Sequence, residues 1–222
     1  MGRLSVAAAA SVVTAGLAVG CGGGADEPPT TITEEDLPMM VLQREDIPAG
    51  LNLLDEDGKT RGFVEPLYNP SAEAMFLREF ELPPDEAESG TVVCITNSVV
   101  LYETPEEAKR AFREVQDLQK VFETELKESE TEVPWIEIDS SSLPPLGDER
   151  QALRFVAPGT DFCSSYEDEP AEAYFLVTLR YNVGAGLMVW TYERGASLDE
   201  AIELAQMQAS RMEAVFEGDA LP

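Results

Sequence analysis

Thr91-Val92-Val93-Cys94-Ile95-Thr96-Asn97-Ser98-Val99-Val100-Leu101-Tyr102, followed after one residue by Thr104-Pro105-Glu106-Glu107-Ala108, is the stretch on which the fold turns. The first segment is dense in β-branched residues and reads as a strand. In the second, Thr104 is placed to cap a helix, Pro105 suits the first helical position, and Glu107 completes a capping box. An apolar face then recurs at spacings of three and four, through Ala108, Ala111, Phe112, Val115, Leu118, Phe122 and Leu126. The acidic run over 123–132 weakens the end of this helix. A strand that hands over to an amphipathic helix needs a sheet face on which to bury the helical stripe.

The same pattern extends outward on both sides. Residues 74–82 alternate Phe76, Arg78 and Phe80 against Leu77 and Glu79, which predicts a strand. Before it, 33–42 predicts a short leading helix, broken at Ile47-Pro48-Ala49-Gly50. After the long helix, 135–138 and 151–156 read as short strands. Residues 173–181 and 187–192 read as a hairpin around Asn182-Val183-Gly184-Ala185-Gly186. Ser197-Leu198-Asp199-Glu200 has the spacing of a second capping box. Ala201, Leu204, Ala205, Met212, Val215 and Phe216 form one face of the helix that follows, and Gly218 supplies its stop. The expected fold class is therefore α+β: one mainly antiparallel sheet with two long helices packed against it. No internal repeat at a fixed period interrupts that single domain.

The first twenty residues differ from the rest. Arg3 is their only charged side chain, and an apolar run rich in Ala and Val extends over 4–19, the marks of a secretory signal. The run is too short and too interrupted by Ser and Thr for a membrane span, which takes about 20 strongly apolar residues. Its end, Leu17-Ala18-Val19-Gly20-Cys21, resembles the lipobox of bacterial lipoproteins, with Leu17 one place earlier than the leucine of that pattern. The resemblance implies a diacylglyceryl group on Cys21, cleavage just before it, and attachment to membrane lipid on the outer face of the cytoplasmic membrane or cell envelope. One acyl chain binds a membrane only marginally, whereas two hold it stably. The glycines, prolines and charges that follow suit a tether over 21–33 with a reach on the order of 20 Å. The organisation expected is thus a signal peptide over 1–20, the tether over 21–33, one extracytoplasmic domain over 34–217 and a tail over 218–222.

Charge and composition narrow the function. With 43 acidic against 15 basic residues the formal net charge is −28. Such a surface repels phosphate backbones and anionic lipid, so nucleic acid is excluded as a partner and the domain should stand clear of the headgroups. The charge speaks first to solubility, and after that to attraction of cations or basic peptides. There is no histidine. That removes Ser-His-Asp and Cys-His catalysis, the HExxH zinc proteases and histidine pH switching. No phosphate-binding glycine loop is present, and Gly22-Gly23-Gly24 reads as tether. Asp55-Glu56-Asp57-Gly58 suggests a calcium loop, but Leu53 and Val64 stand where its first and last ligands belong, so it reads as a solvated turn. Paired carboxylates could hydrolyse a glycosidic bond without histidine, yet no spacing singles out a pair. Tyr166, Trp135 and Trp190 could wall a pocket, although aromatic residues in strands are more often core. No cofactor is expected.

Three cysteines are present, and lipid accounts for the first. In an oxidising compartment the remaining pair, Cys94 and Cys163, is expected to form a disulfide. It would close a loop of about 70 residues and contribute on the order of 4 kcal/mol by chain entropy. Asp46-Ile47-Pro48-Ala49-Gly50, the helix start at Thr104-Pro105-Glu106-Glu107-Ala108, the loop Pro144-Pro145-Leu146-Gly147-Asp148-Glu149 and the closing strand–helix pair resemble a broad group of poorly characterised lipoproteins from Gram-positive and related bacteria. That group is similar in outline to the extracellular sensor domains of some bacterial receptor kinases. The resemblance implies a binding or sensory domain, with a small ligand or a protein as partner, and no catalytic residues. The competing expectations are a histidine-free hydrolase and a structural envelope protein.

Overall fold

The computed structural model describes residues 31–57, 72–115, 135–158, 170–192 and 197–218. Seven strands form one sheet: β1 (Asn52–Asp57), β2 (Ala72–Glu81), β3 (Val92–Tyr102), β4 (Trp135–Ile138), β5 (Glu149–Pro158), β6 (Pro170–Arg180) and β7 (Val183–Tyr192). Their order across the sheet is β1-β2-β3-β7-β6-β5-β4, and every neighbouring pair is antiparallel. Two meanders, β1 to β3 and β4 to β7, thus meet where β3 pairs with β7. Among the described residues three helices accompany the sheet: α1 (Leu37–Met40), α2 (Pro105–Val115) and α3 (Leu198–Glu217). The α+β class and the antiparallel sheet agree with the sequence reading.

The meeting point of the meanders is the core. All of β3 is buried, as is β7 except Tyr192. Register assigns their side chains to two faces. Val99 and Leu101 of β3 lie beside Ala185 and Val183 of β7, and this set packs with Leu37 and Met40 of α1 and with Met212, Val215 and Phe216 of α3. On the other face Tyr102 lies over Gly184. Burial pushes the Tyr102 phenol above its usual pKa, and the charge of Glu114 on α2 adds to the shift. Ala108, Ala111 and Phe112 carry α2 onto this face. The sheet is therefore covered by α1 and α3 on one side and by α2 on the other.

Several details differ from expectation. β1 was not expected; Asp55, Glu56 and Asp57 are strand residues, because β2 offers them a ladder from Leu77 to Glu79. The hairpin turn is only Tyr181-Asn182, so most of the loop expected over 182–186 is strand. Tyr181 takes the left-handed φ of 53° that this tight turn requires. Asn182 then ties the turn to β3: its Nδ2 donates to the Tyr102 carbonyl at 2.9 Å, and its own carbonyl accepts from the Tyr102 N–H. The leading helix is a 3-10 turn (Glu34–Asp36) continued by the four residues of α1. Thr104 Oγ1 accepts from the Glu107 N–H at 3.2 Å, as a cap should. Ser197 holds the cap position of α3 without a side-chain cap bond. Gly218 ends α3 at φ 69°, with its N–H on the carbonyls of Ala214 and Val215. The expected helical residues 118, 122 and 126 lie outside the described residues, as do the signal peptide and most of the tether.

The N-terminal segment is clamped to the α3 side by polar groups. Arg78 of β2 and Asn97 of β3 are register partners. Asn97 Oδ1 accepts from the Leu42 N–H at 2.6 Å, and an Arg78 N–H donates to the Leu42 carbonyl at 3.0 Å. Both backbone groups of one buried residue are thereby satisfied by neighbouring strands. Gln208 of α3 reaches past them to the Ser98 carbonyl at 3.1 Å.

Candidate functional site

A groove lies between α3 and the loop that leads into β5. The loop starts with a 3-10 turn (Ser140–Ser142) fastened by Asp139, whose carboxylate accepts from the Ser141 N–H at 2.9 Å and is held below its usual pKa by Ser141. Leu143 and Leu146 are buried and anchor the loop. Gly147 lets it approach β6: a Cβ there would stand 2.5 Å from the Leu179 carbonyl oxygen, the atom that accepts from the Asp148 N–H at 2.7 Å. This glycine serves close approach rather than an unusual φ.

Past that contact, Arg180 at the end of β6 joins the loop to the helix. Its guanidinium donates to Asp148 Oδ1 at 2.9 Å and to both carboxylate oxygens of Glu213 on α3, at 3.0 and 3.1 Å. The second Asp148 oxygen accepts from the Tyr181 N–H at 3.0 Å, so one carboxylate fixes both the arginine and the hairpin turn. Arg180 also lies 4.7 Å over the Tyr181 ring, which meets Phe216 edge-on at 4.9 Å. Burial alone would lower the Arg180 pKa, but Glu213 and Asp148 outweigh it and raise the value.

The resulting groove holds about 590 Å³. Pro145, Leu146, Ala209 and Met212 give it an apolar side, and Arg180, Gln206, Ser210 and Glu213 give it a polar one. That volume falls within the range of small-molecule sites, although the groove is open and half of its named side chains are polar. The positive charge of Arg180 is already met by two carboxylates, so the groove does not favour an anion. Ser210 Oγ donates to the Gln206 carbonyl within its own helix at 2.8 Å, and Glu213, the acid of the lining, is engaged by Arg180, so no nucleophile–base pair is assembled in this groove. Across the ridge of α3 a smaller hollow of about 290 Å³ shares Gln206 and Ser210. Its wall is Arg211, buried and bound by Asp46 at 2.5 and 3.1 Å and by Glu45 at 3.1 Å. A further arginine, Arg154 of β5, pairs with the buried Glu172 of β6, which holds its pKa above the usual value.

The residues singled out from sequence are not brought together here. Cys94 lies in β3, 1% exposed, between Glu81 of β2 and Trp190 of β7. Cys21, Cys163 and Tyr166 lie outside the described residues. Trp190 is core rather than pocket wall, and Trp135 is a residue of β4. Sequence reasoning flagged the loop 144–149 but not Arg180 or Glu213, which are separated by 33 positions and meet only through the sheet. No group of three or more potential metal ligands occurs among the described residues, and no helix there is long and apolar enough to cross a membrane.

No family model matches the chain, and no curated protein matches it. Among solved structures it is similar to the extracellular domain of PknH from Mycobacterium tuberculosis. The likeness has a TM-score of 0.57 at 12% identity and covers 88% of this chain and 100% of the other. At that identity the likeness is one of fold.

Proposed function

We propose that the chain is an exported, lipid-anchored domain that binds a small ligand or a protein partner outside the cytoplasm, in a sensory role, without catalysis. The observation that most supports this is the likeness to an extracellular domain of a mycobacterial kinase along that domain's whole length. The N-terminal signature ending in Cys21 agrees with the same compartment, and the absence of histidine from the sequence speaks against the commonest hydrolytic machinery. In this reading Cys21 carries diacylglycerol, Cys94 and Cys163 are joined, and the groove beside α3 takes an uncharged or weakly polar ligand.

One experiment tests all of it. The chain is purified from the membranes of its native host and measured by mass spectrometry, first intact and folded, then digested without reduction. The expected result is a small molecule released on unfolding, an N-terminal peptide carrying lipid on Cys21, and a linked Cys94–Cys163 peptide. Ser210→Trp, which crowds the groove from the helix surface, should abolish the released molecule while leaving the two peptides unchanged. Steady turnover of a polysaccharide by the purified domain, lost on neutralising one Asp or Glu, would replace binding with hydrolysis.

A further inference from the structure

β1 ends the sheet, with a strand neighbour on one side only among the described residues. Natural proteins shield such edges, because the outward row of backbone N–H and C=O groups is a template for another strand. β1 divides into two halves of opposite character. Leu53 and Leu54, 49% and 52% exposed, are the most exposed large hydrophobic residues described. Leu54 is the extra residue of a bulge between Leu53, which pairs with Phe80, and Asp55, which pairs with Glu79. Leu53 and Leu54 border a shallow hollow of about 180 Å³ that reaches Asn52, Glu81, Leu82 and Pro83. The other half is Asp55, Glu56 and Asp57. Glu56 is held by Arg78 at 2.7 Å, whereas no basic side chain pairs with Asp55 among the described residues.

We propose that β1 is a docking edge for an extended, basic segment of a protein partner, which adds to the sheet as an eighth strand. The backbone edge supplies the pairing, the Leu53–Leu54 hollow takes one apolar side chain, and Asp55 takes a Lys or Arg. Charge selects this occupant. A second copy paired edge to edge would set these acids near their own kind, in a chain of net charge −28. An acidic or phosphorylated segment is repelled in the same way. The acids that guard the edge against self-association thus leave it open to a strand of opposite sign. This surface is separate from the groove beside α3, and either assignment stands without the other.

The test uses the full chain and three short synthetic peptides: alternating Lys-Val, the same peptide with proline at alternate positions, and alternating Glu-Val. Proline keeps the charge but removes strand pairing. Titration calorimetry reads affinity, and amide hydrogen exchange reads protection of residues 52–57. The Lys-Val peptide should bind and protect β1, with affinity falling as salt rises. The proline and Glu-Val peptides should bind at least roughly ten-fold more weakly and protect nothing. Asp55→Lys should weaken Lys-Val binding by a similar factor without lowering the melting temperature. Equal binding by the proline peptide would reduce the effect to non-specific charge and overturn the proposal. So would protection of β1 by self-association, seen in sedimentation and abolished by Leu54→Asp.

Discussion

β3 and β1 belong to one sheet two positions apart, yet they obey different rules. Every residue of β3 is buried, and its sequence is an apolar run broken only by Thr96, Asn97 and Ser98. From Asn52 to Glu56, β1 exposes every residue except the half-buried Asp55. β3 is a strand because its side chains have two packed faces to fill. β1 is a strand because β2 presents an unpaired ladder. The lesson is that the interior of this sheet is fixed by side chains and its margin by backbone, so the two should respond differently to substitution.

The largest effect should come from the interior. Trp190 of β7 is fully buried beside Cys94. Trp190→Ala should cost about 3–5 kcal/mol, read as a lower urea midpoint with the slope of the transition unchanged. An intermediate effect is expected where the N-terminal segment meets α3. Arg211→Met keeps the bulk of the side chain but leaves Asp46 and Glu45 without their cation, a loss of about 3 kcal/mol in the same unfolding experiment. Recovery of that loss in the double variant with Asp46→Leu would locate the penalty in the stranded carboxylate. The smallest effect belongs to the margin: Leu54→Ala should stay within about 0.5 kcal/mol of the parent, despite removing a leucine. If Leu54→Ala approached Trp190→Ala in cost, the division between interior and margin would fail.

The same division explains what was readable in the sequence. β3, the start of α2 and the body of α3 carry dense local signals: β-branched runs, a cap, a periodic apolar stripe. β1 carries none. Its acids looked like a turn because nothing in Asp55-Glu56-Asp57 reveals that Leu77, Arg78 and Glu79 stand ready to pair with them. The short hairpin was hidden by glycine. Gly184 and Gly186 suggested a loop but are strand residues, and a Cβ at Gly184 would meet the Tyr102 ring at an ordinary contact distance of 3.5 Å. The groove was half legible. Pro144-Pro145-Leu146-Gly147-Asp148 stood out as a distinct phrase, and Gly147 proves to be where the loop touches the Leu179 carbonyl. Its partners Arg180 and Glu213 look like ordinary solvated charges until strand and helix are packed together.

The double grip on Leu42 has a mechanical consequence. A pull applied to the chain from the side of residue 31 first meets α1, whose Leu37 and Met40 are packed into the core, and behind it Leu42, held by Asn97 of β3 and Arg78 of β2. The load enters two interior strands at once, instead of peeling the sheet open from its rim one bond at a time. The Arg211–Asp46 pair lies just beyond and adds a polar tie to the closing helix, on which α1 already packs. The clamp at Leu42 thus couples the first described segment to the interior of the sheet rather than to its rim.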